Sequence, residues 1–173
     1  CTINGNMFVN TTKSRWSSLR GVSIEGSNVT ITGNAFINTS ITGDHNVSNI
    51  HIGNNSFKTT ISGDEVFATR AHITFYSCKH VEVLDNRFDG GHIKFVSAHS
   101  HNPPEGVPFI EDLVIMGNTF CNILNTPIEI QAGHINVTVS NNTFRKITAP
   151  KDYTPIRFLS PQGVITINNN SIT

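Results

Sequence analysis

Three ionisable side chains hold the same place in three similar segments: Lys94 in HIKFVS (92–97), Glu129 in PIEIQA (127–132) and Arg157 in PIRFLS (155–160). A cation, an anion and a cation set side by side can form a run of charge pairs, each contributing about 0.2–1 kcal/mol. They can also hold an anionic ligand. If burial or a neighbouring cation lowers its pKa, Lys94 can act as a base. His72 and His92 lie two residues before the equivalent positions, and Tyr76 and Gln131 lie two residues after them. Strand alternation puts all of these on one side. The segment 97–112, SAHSHNPPEGVPFIED, adds a His-x-His pair, His99 and His101, with Glu105 and Asp112 as further donors of the kind a metal takes. Two histidines alone are more often surface residues, so no metal is assigned. Asp64 and Glu65, within 58–70, are the donors a calcium ion would use, or simply a solvated turn. Trp16, the single Trp, sits in the turn 9–20 with Arg15 and Arg20.

What positions these groups is a repeat. A short alternating apolar run, then Asn, any residue and Phe, returns as TINGNMF (2–8), VTITGNAF (29–36), IHIGNNSF (50–57), VEVLDNRF (81–88), LVIMGNTF (113–120), VTVSNNTF (137–144) and ITINNNSI (165–172). The key asparagines are Asn6, Asn34, Asn55, Asn86, Asn118, Asn142 and Asn170, at steps of 28, 21, 31, 32, 24 and 28 residues. Repeats of this length signal a solenoid. The apolar period within each copy is two, which is strand period. A second strand follows in most copies, at 21–26, 72–77, 92–97, 127–132 and 155–160, with inward pairs such as Ile73/Phe75 and Ile93/Phe95. The second copy offers only Ile41 as a counterpart. The spacing therefore predicts an all-β parallel solenoid of about seven coils, each stacked about 4.8 Å from the next. An Asn recurring at one corner can form an amide ladder, and the Phe two residues on an inward aromatic column. Stacking the second strands aligns Ser23, Thr42, Thr74, Lys94, Glu129 and Arg157 in one outward row and Glu25, Tyr76, Val96, Gln131 and Leu159 in its neighbour.

Composition agrees. Ile, Val and Thr number 53 of the 173 residues, whereas Ala, Leu and Met number 13, which favours pleated strands over helices. Twelve Lys+Arg balance twelve Asp+Glu, so a general nucleic-acid binder is not expected. No apolar run is long enough to span a bilayer. Cys1, Cys78 and Cys121 lack metal-type spacing and are expected to be incidental thiols. Eight Asn-x-Ser/Thr sequons, at Asn10, Asn28, Asn38, Asn46, Asn54, Asn136, Asn141 and Asn169, are expected to be compositional, several of them in the turn ladder where a glycan would collide with packing.

The recurring [V/I]x[V/I]xxNxF motif resembles the right-handed parallel β-helix repeat of pectate-lyase-like proteins, a superfamily of polysaccharide lyases, glycoside hydrolases, uronan epimerases and phage tailspikes. The resemblance covers nearly the whole chain and rests on coil-building residues, so it speaks to fold more than to function. It implies a carbohydrate-active β-helix that binds and depolymerises an acidic polysaccharide. Lys94 and Arg157 would serve as base and carboxylate-neutralising group, assisted by Glu129, His92 and Tyr76. His72, His99, His101, Gln131 and Trp16 would line the sugar path, since aromatic faces stack on pyranose C–H surfaces. Trp16 is equally suited to capping the first coil. A hydrolase's paired carboxylates are not evident. The alternatives are a non-catalytic receptor- or polysaccharide-binding module, which as a tailspike would trimerise, and a structural spacer. An extracellular, cell-surface or virion location is implied, with no cofactor beyond a calcium ion. The start at Cys1-Thr2-Ile3 and the lack of a cap point to one domain, 1–173, that is a module of a longer chain.

Overall fold

A computed structural model describes residues 1–11, 20–44, 46–60, 71–96, 110–131, 133–148, 154–159 and 163–173. Among these residues every regular element is a strand, and no helix is long and apolar enough to cross a membrane. Three parallel sheets form the faces of a solenoid. Sheet A contains β1 (Thr2–Asn4), β4 (Ser27–Thr32), β7 (Val47–Gly53), β10 (Cys78–Leu84), β13 (Ile110–Met116), β16 (His134–Ser140) and β19 (Ile165–Asn168). Sheet B contains β2 (Met7–Val9), β5 (Ala35–Ile37), β8 (Ser56–Lys58), β11 (Arg87–Asp89), β14 (Thr119–Cys121), β17 (Thr143–Arg145) and β20 (Ser171–Ile172). Sheet C contains β3 (Arg20–Ile24), β6 (Ser40–Gly43), β9 (Ala71–Phe75), β12 (His92–Phe95), β15 (Ile128–Ile130) and β18 (Ile156–Phe158). Six coils thus carry all three strands and a seventh carries two, in a parallel β-helix of the kind the repeat predicts.

Each coil turns from sheet A to sheet B in two residues. The first has positive φ in every coil: Gly5, Gly33, Asn54, Asp85, Gly117, Asn141 and Asn169, between 51° and 70°. Only Gly, Asn and Asp occupy it, because other side chains pay a steric penalty in this region. The second is the ladder asparagine. Asn55 shows the pattern: its backbone N–H and Nδ2–H donate to Asn86 Oδ1 at 2.9 and 3.0 Å, and Nδ2 also donates to the Gly53 and Ile31 carbonyls at 3.0 and 2.9 Å. The same bonds run from Asn6 to Asn170. Two residues later the Phe rings stack, Phe8 on Phe36, Phe57, Phe88, Phe120 and Phe144, with centroids 4.8–5.2 Å apart. Burial of these rings with Ile31, Ile52, Val83, Ile115 and Val139 makes one continuous apolar core.

The second coil departs from expectation. It contributes a full sheet C strand, β6, although its sequence shows only Ile41. Gly43 stands where later coils have Phe75 and Phe95, and a Cβ there would overlap the Phe75 ring. The aromatic ring above thus fills the space that the glycine leaves.

A second left-handed column crosses sheet A at Asn28, Asn49, His80, Asp112 and Asn136, with φ between 52° and 60°. Asn49 donates to Asn28 at 3.2 Å and Asn136 to Asp112 at 2.9 Å. Seven of the eight sequon asparagines, all but Asn10, have a left-handed backbone of this kind. Asn54, Asn141 and Asn169 adjoin the ladder but are exposed, so packing does not obstruct their side chains as the sequence suggested. Cys78 and Cys121 are buried free thiols, and Cys1 is an exposed one; burial pushes the Cys78 thiol well up from its ordinary value.

Candidate functional site

The outer face of sheet C carries the row predicted from the sequence. Backbone pairing sets Ser23 beside Thr42, Thr42 beside Thr74, Thr74 beside Lys94, Lys94 beside Glu129 and Glu129 beside Arg157. The register is fixed from inside: the flanking residues Ile73/Phe75, Ile93/Phe95 and Ile128/Ile130 are all buried, and a slip by one residue would turn them to solvent.

Glu129 is the centre of the row. It is only 7% exposed despite its outward position. Gln131 Nε2 donates to its Oε1 at 2.7 Å. Lys94 Nζ lies 3.7 Å from Oε2 and Arg157 Nη1 lies 3.8 Å from Oε1, distances of charge attraction rather than of direct hydrogen bonds. The Lys94 and Arg157 side chains remain 32% and 43% exposed. The row therefore presents two accessible cations on either side of a largely covered carboxylate. Tyr76 sits half-buried one residue beyond β9, in the row that continues through Val96, Gln131 and Leu159.

His72 and His92 are not on this face. Both turn into the corner between sheets B and C, at 4% and 3% exposure. The pairing of β12 with β9 shifts register between His92 and Ile93, and this bulge breaks the alternation that predicted an outward histidine. Gly91 leaves the room: a Cβ there would overlap the His72 ring. The His72 imidazole faces the Thr39 carbonyl through Nδ1 and Thr59 Oγ1 through Nε2, both at 3.3 Å, and tilts against Phe57 and Phe88. Burial holds its pKa down at about 4, against smaller opposing effects of the Thr39 bond and Asp89. His92 is held at about 3 by burial, reinforced by Lys94 and His72. Both are neutral interior groups and meet no solvent-borne sugar. His99, His101 and Trp16, with Glu105, Asp64 and Glu65, lie outside the described residues. Among the described residues no cluster of His, Cys, Asp and Glu is arranged to hold a metal ion.

Sheet A carries one ion pair and two histidine–carboxylate contacts that the sequence reading did not assemble. Lys79 meets Glu111 at 2.7 Å, His80 meets Asp112 at 2.9 Å and His51 meets Glu82 at 3.0 Å, each across adjacent coils on the exposed face. The repeat alignment contains the signal, since His51 and Glu82 are equivalent positions of consecutive copies. A groove of ≈ 540 Å³ also runs over the A–B corner of the first coils, bordered by Gly33, Asn54, Ser56, Asp85 and Arg87. The side chains missing at Gly5 and Gly33 leave it open. It lies on a different corner from the Lys94 row, although its Asp85 and Arg87 belong to the same coil as Lys94. Compared with family models, with curated proteins and with solved structures, the chain matches none.

Proposed function

We propose that this chain is a carbohydrate-active β-helix whose sheet C outer face binds an acidic polysaccharide. The observation that supports this is the row Lys94–Glu129–Arg157. It repeats at the coil spacing of about 4.8 Å and offers two exposed cations to one covered carboxylate. An extended polyanion laid across the coils can meet Lys94 and Arg157 with successive carboxylates, while Thr74, Gln131 and Tyr76 supply polar and ring contacts beside them. Glu129 holds both cations on the face, at 3.7 and 3.8 Å. The pectate-lyase-like resemblance extends this reading to β-elimination. There Lys94, as the neutral amine, would take the C5 proton of a uronate whose carboxylate Arg157 neutralises, the C5–H pair would form the C4=C5 double bond, and the C4 oxygen would leave with the C–O pair and pick up a proton from solvent.

Titration calorimetry against a panel of uronans and neutral glucans tests the binding step. Uronan binding that weakens with salt is expected, reduced tenfold or more by Lys94→Ala and by Arg157→Ala and unchanged by Arg87→Ala on the opposite corner. Equal affinity for neutral glucans, or full affinity in both row variants, would overturn the reading. Ultraviolet absorbance of unsaturated uronate ends tests turnover. Binding without that signal assigns the chain to recognition rather than to cleavage.

A further inference from the structure

We infer, resting on the polyanion-binding face proposed above, that the Lys94–Glu129–Arg157 row is built for an alternating acidic polysaccharide, a uronate and an N-acylhexosamine taking turns, and that Glu129 and Gln131 select the hexosamine. The spacing of charge along the row carries this. Lys94 pairs in register with Glu129 and Glu129 with Arg157, so the three side chains stand on consecutive coils. Lys94 Nζ and Arg157 Nη1 lie 3.7 and 3.8 Å from the two oxygens of one carboxylate, which sets the cations two coils, or about 10 Å, apart. One pyranose of an extended chain advances by about the spacing of one coil. Cations two coils apart therefore match carboxylates two sugars apart, and not those of neighbouring sugars. Toward the earlier coils the row continues as Thr74, Thr42 and Ser23, hydroxyls without charge. The charged part thus spans a single trio of sugars, acidic, neutral, acidic.

The middle coil differs from its neighbours in the adjoining row as well. Backbone bonds from Val96 to Phe75, from Gln131 to Phe95 and from Leu159 to Ile130 keep that row in step. Val96 accompanies Lys94 and Leu159 accompanies Arg157, so each cation stands beside an apolar side chain. Glu129 stands beside Gln131, which spends one N–H on Glu129 Oε1 at 2.7 Å. The middle coil is then rich in acceptors, the second carboxylate oxygen and the Gln131 carbonyl oxygen. A sugar bearing hydroxyls and an amide N–H suits it. A third ligand carboxylate there would face Glu129 with no cation of its own. Between unit charges about 5 Å apart beside solvent, that repulsion costs about tenfold in affinity. Glu129 is little exposed, but its charge still acts on whatever lies above it. A chain of uronates alone meets the row only in a two-fold form that turns every second carboxylate to solvent, a constraint that an alternating chain does not carry.

Titration calorimetry with length-matched oligosaccharides of hyaluronan, which alternates a uronate with N-acetylglucosamine, and of polygalacturonate tests the selection. The chain should bind the hyaluronan oligosaccharide about tenfold more tightly. Polygalacturonate carries a carboxylate on every sugar, so charge attraction alone predicts the opposite order. Glu129→Gln, checked for its fold by circular dichroism, should gain affinity for polygalacturonate and close most of the gap. Gln131→Met keeps the Glu129 charge and removes the second acceptor. It should weaken hyaluronan binding several-fold without helping polygalacturonate. Polygalacturonate bound as tightly as hyaluronan, or a preference that Glu129→Gln leaves unchanged, would overturn this inference and leave the polyanion-binding face standing. No binding of either oligosaccharide would overturn both.

Discussion

Two corners of the solenoid bury polar side chains, and they do it differently. The A–B corner holds seven asparagines, of which Asn34, Asn55, Asn86, Asn118 and Asn142 are 0–3% exposed. An amide is both donor and acceptor, so one residue type repeated at the coil spacing satisfies itself. The B–C corner holds an unlike set: Thr39, His72, His92 and Thr126, each no more than 6% exposed. A neutral imidazole has one donor and one acceptor in fixed directions, and mixed neighbours do not chain. Among the described residues, His92 Nδ1 and Thr126 Oγ1 are buried without a hydrogen-bond partner. Repetition makes buried polarity stabilising at the first corner, whereas at the second it leaves a cost of about 1–3 kcal/mol for each unmatched atom.

The comparison breaks first if the ladder is not cooperative. Asn118→Leu keeps the size but removes the acceptor for the Asn86 N–H and Nδ2 at 2.9 and 3.1 Å, and the donor to the Val83 carbonyl at 2.8 Å. Several orphaned groups in one site predict a loss of about 3–5 kcal/mol, read from the urea midpoint. A loss below about 1 kcal/mol would mean that the ladder is decoration on a core that needs only its phenylalanines.

The second corner answers to pH. His72 and His92 have folded pKa values of about 4 and 3, below the ordinary 6.5. The unfolded chain therefore binds protons that the folded chain refuses, and stability falls as pH drops below about 6.5 until the folded values are passed. Linkage gives about 2 kcal/mol for each histidine at pH 5 relative to pH 8. Denaturation midpoints at the two pH values measure it. His92→Leu should roughly halve the slope, and at pH 8 it should be neutral or stabilising because it removes an unmatched nitrogen. A steep slope that survives both His72 and His92 replacements would place the titration elsewhere.

The same contrast explains what the sequence could and could not tell. The A–B corner was legible because its residues recur: Asn and Phe at fixed offsets state the register coil by coil. The outward row of Thr74, Lys94, Glu129 and Arg157 was legible at one remove, since apolar residues on both sides of each fix which way it points. The B–C corner was not legible. Its direction is set by a bulge between His92 and Ile93 and by the absent side chain of Gly91, neither of which leaves a period in the sequence. Gly43 hid the strand β6 for a related reason: the Phe75 ring that fills its place belongs to another coil. Charge pairs on sheet A required the register before Lys79 could be matched to Glu111. Gly91→Ala sharpens this point. Its methyl would enter the space of the His72 ring, and overpacking predicts a loss of about 1–3 kcal/mol by thermal or urea unfolding. A neutral result would show that the histidine has room to move.

The smallest effect on stability is expected on the outer face, and that is its value. Lys94→Met keeps the aliphatic stem, leaves Glu129 with Gln131 at 2.7 Å and Arg157 at 3.8 Å, and removes one attraction acting across 3.7 Å beside solvent. Partial exposure screens that attraction, so the loss should stay within about 1 kcal/mol. Uronan affinity should nevertheless fall at least tenfold under the proposed function, because the ammonium is one of two cations available to the ligand. The ladder variant predicts the reverse pattern, with a large loss of stability and unchanged affinity in the fraction that remains folded. A Lys94→Met chain that loses several kcal/mol of stability and no affinity would make the row a structural strut holding Glu129. The outward charges would then obey the same logic as the buried asparagines rather than a ligand's.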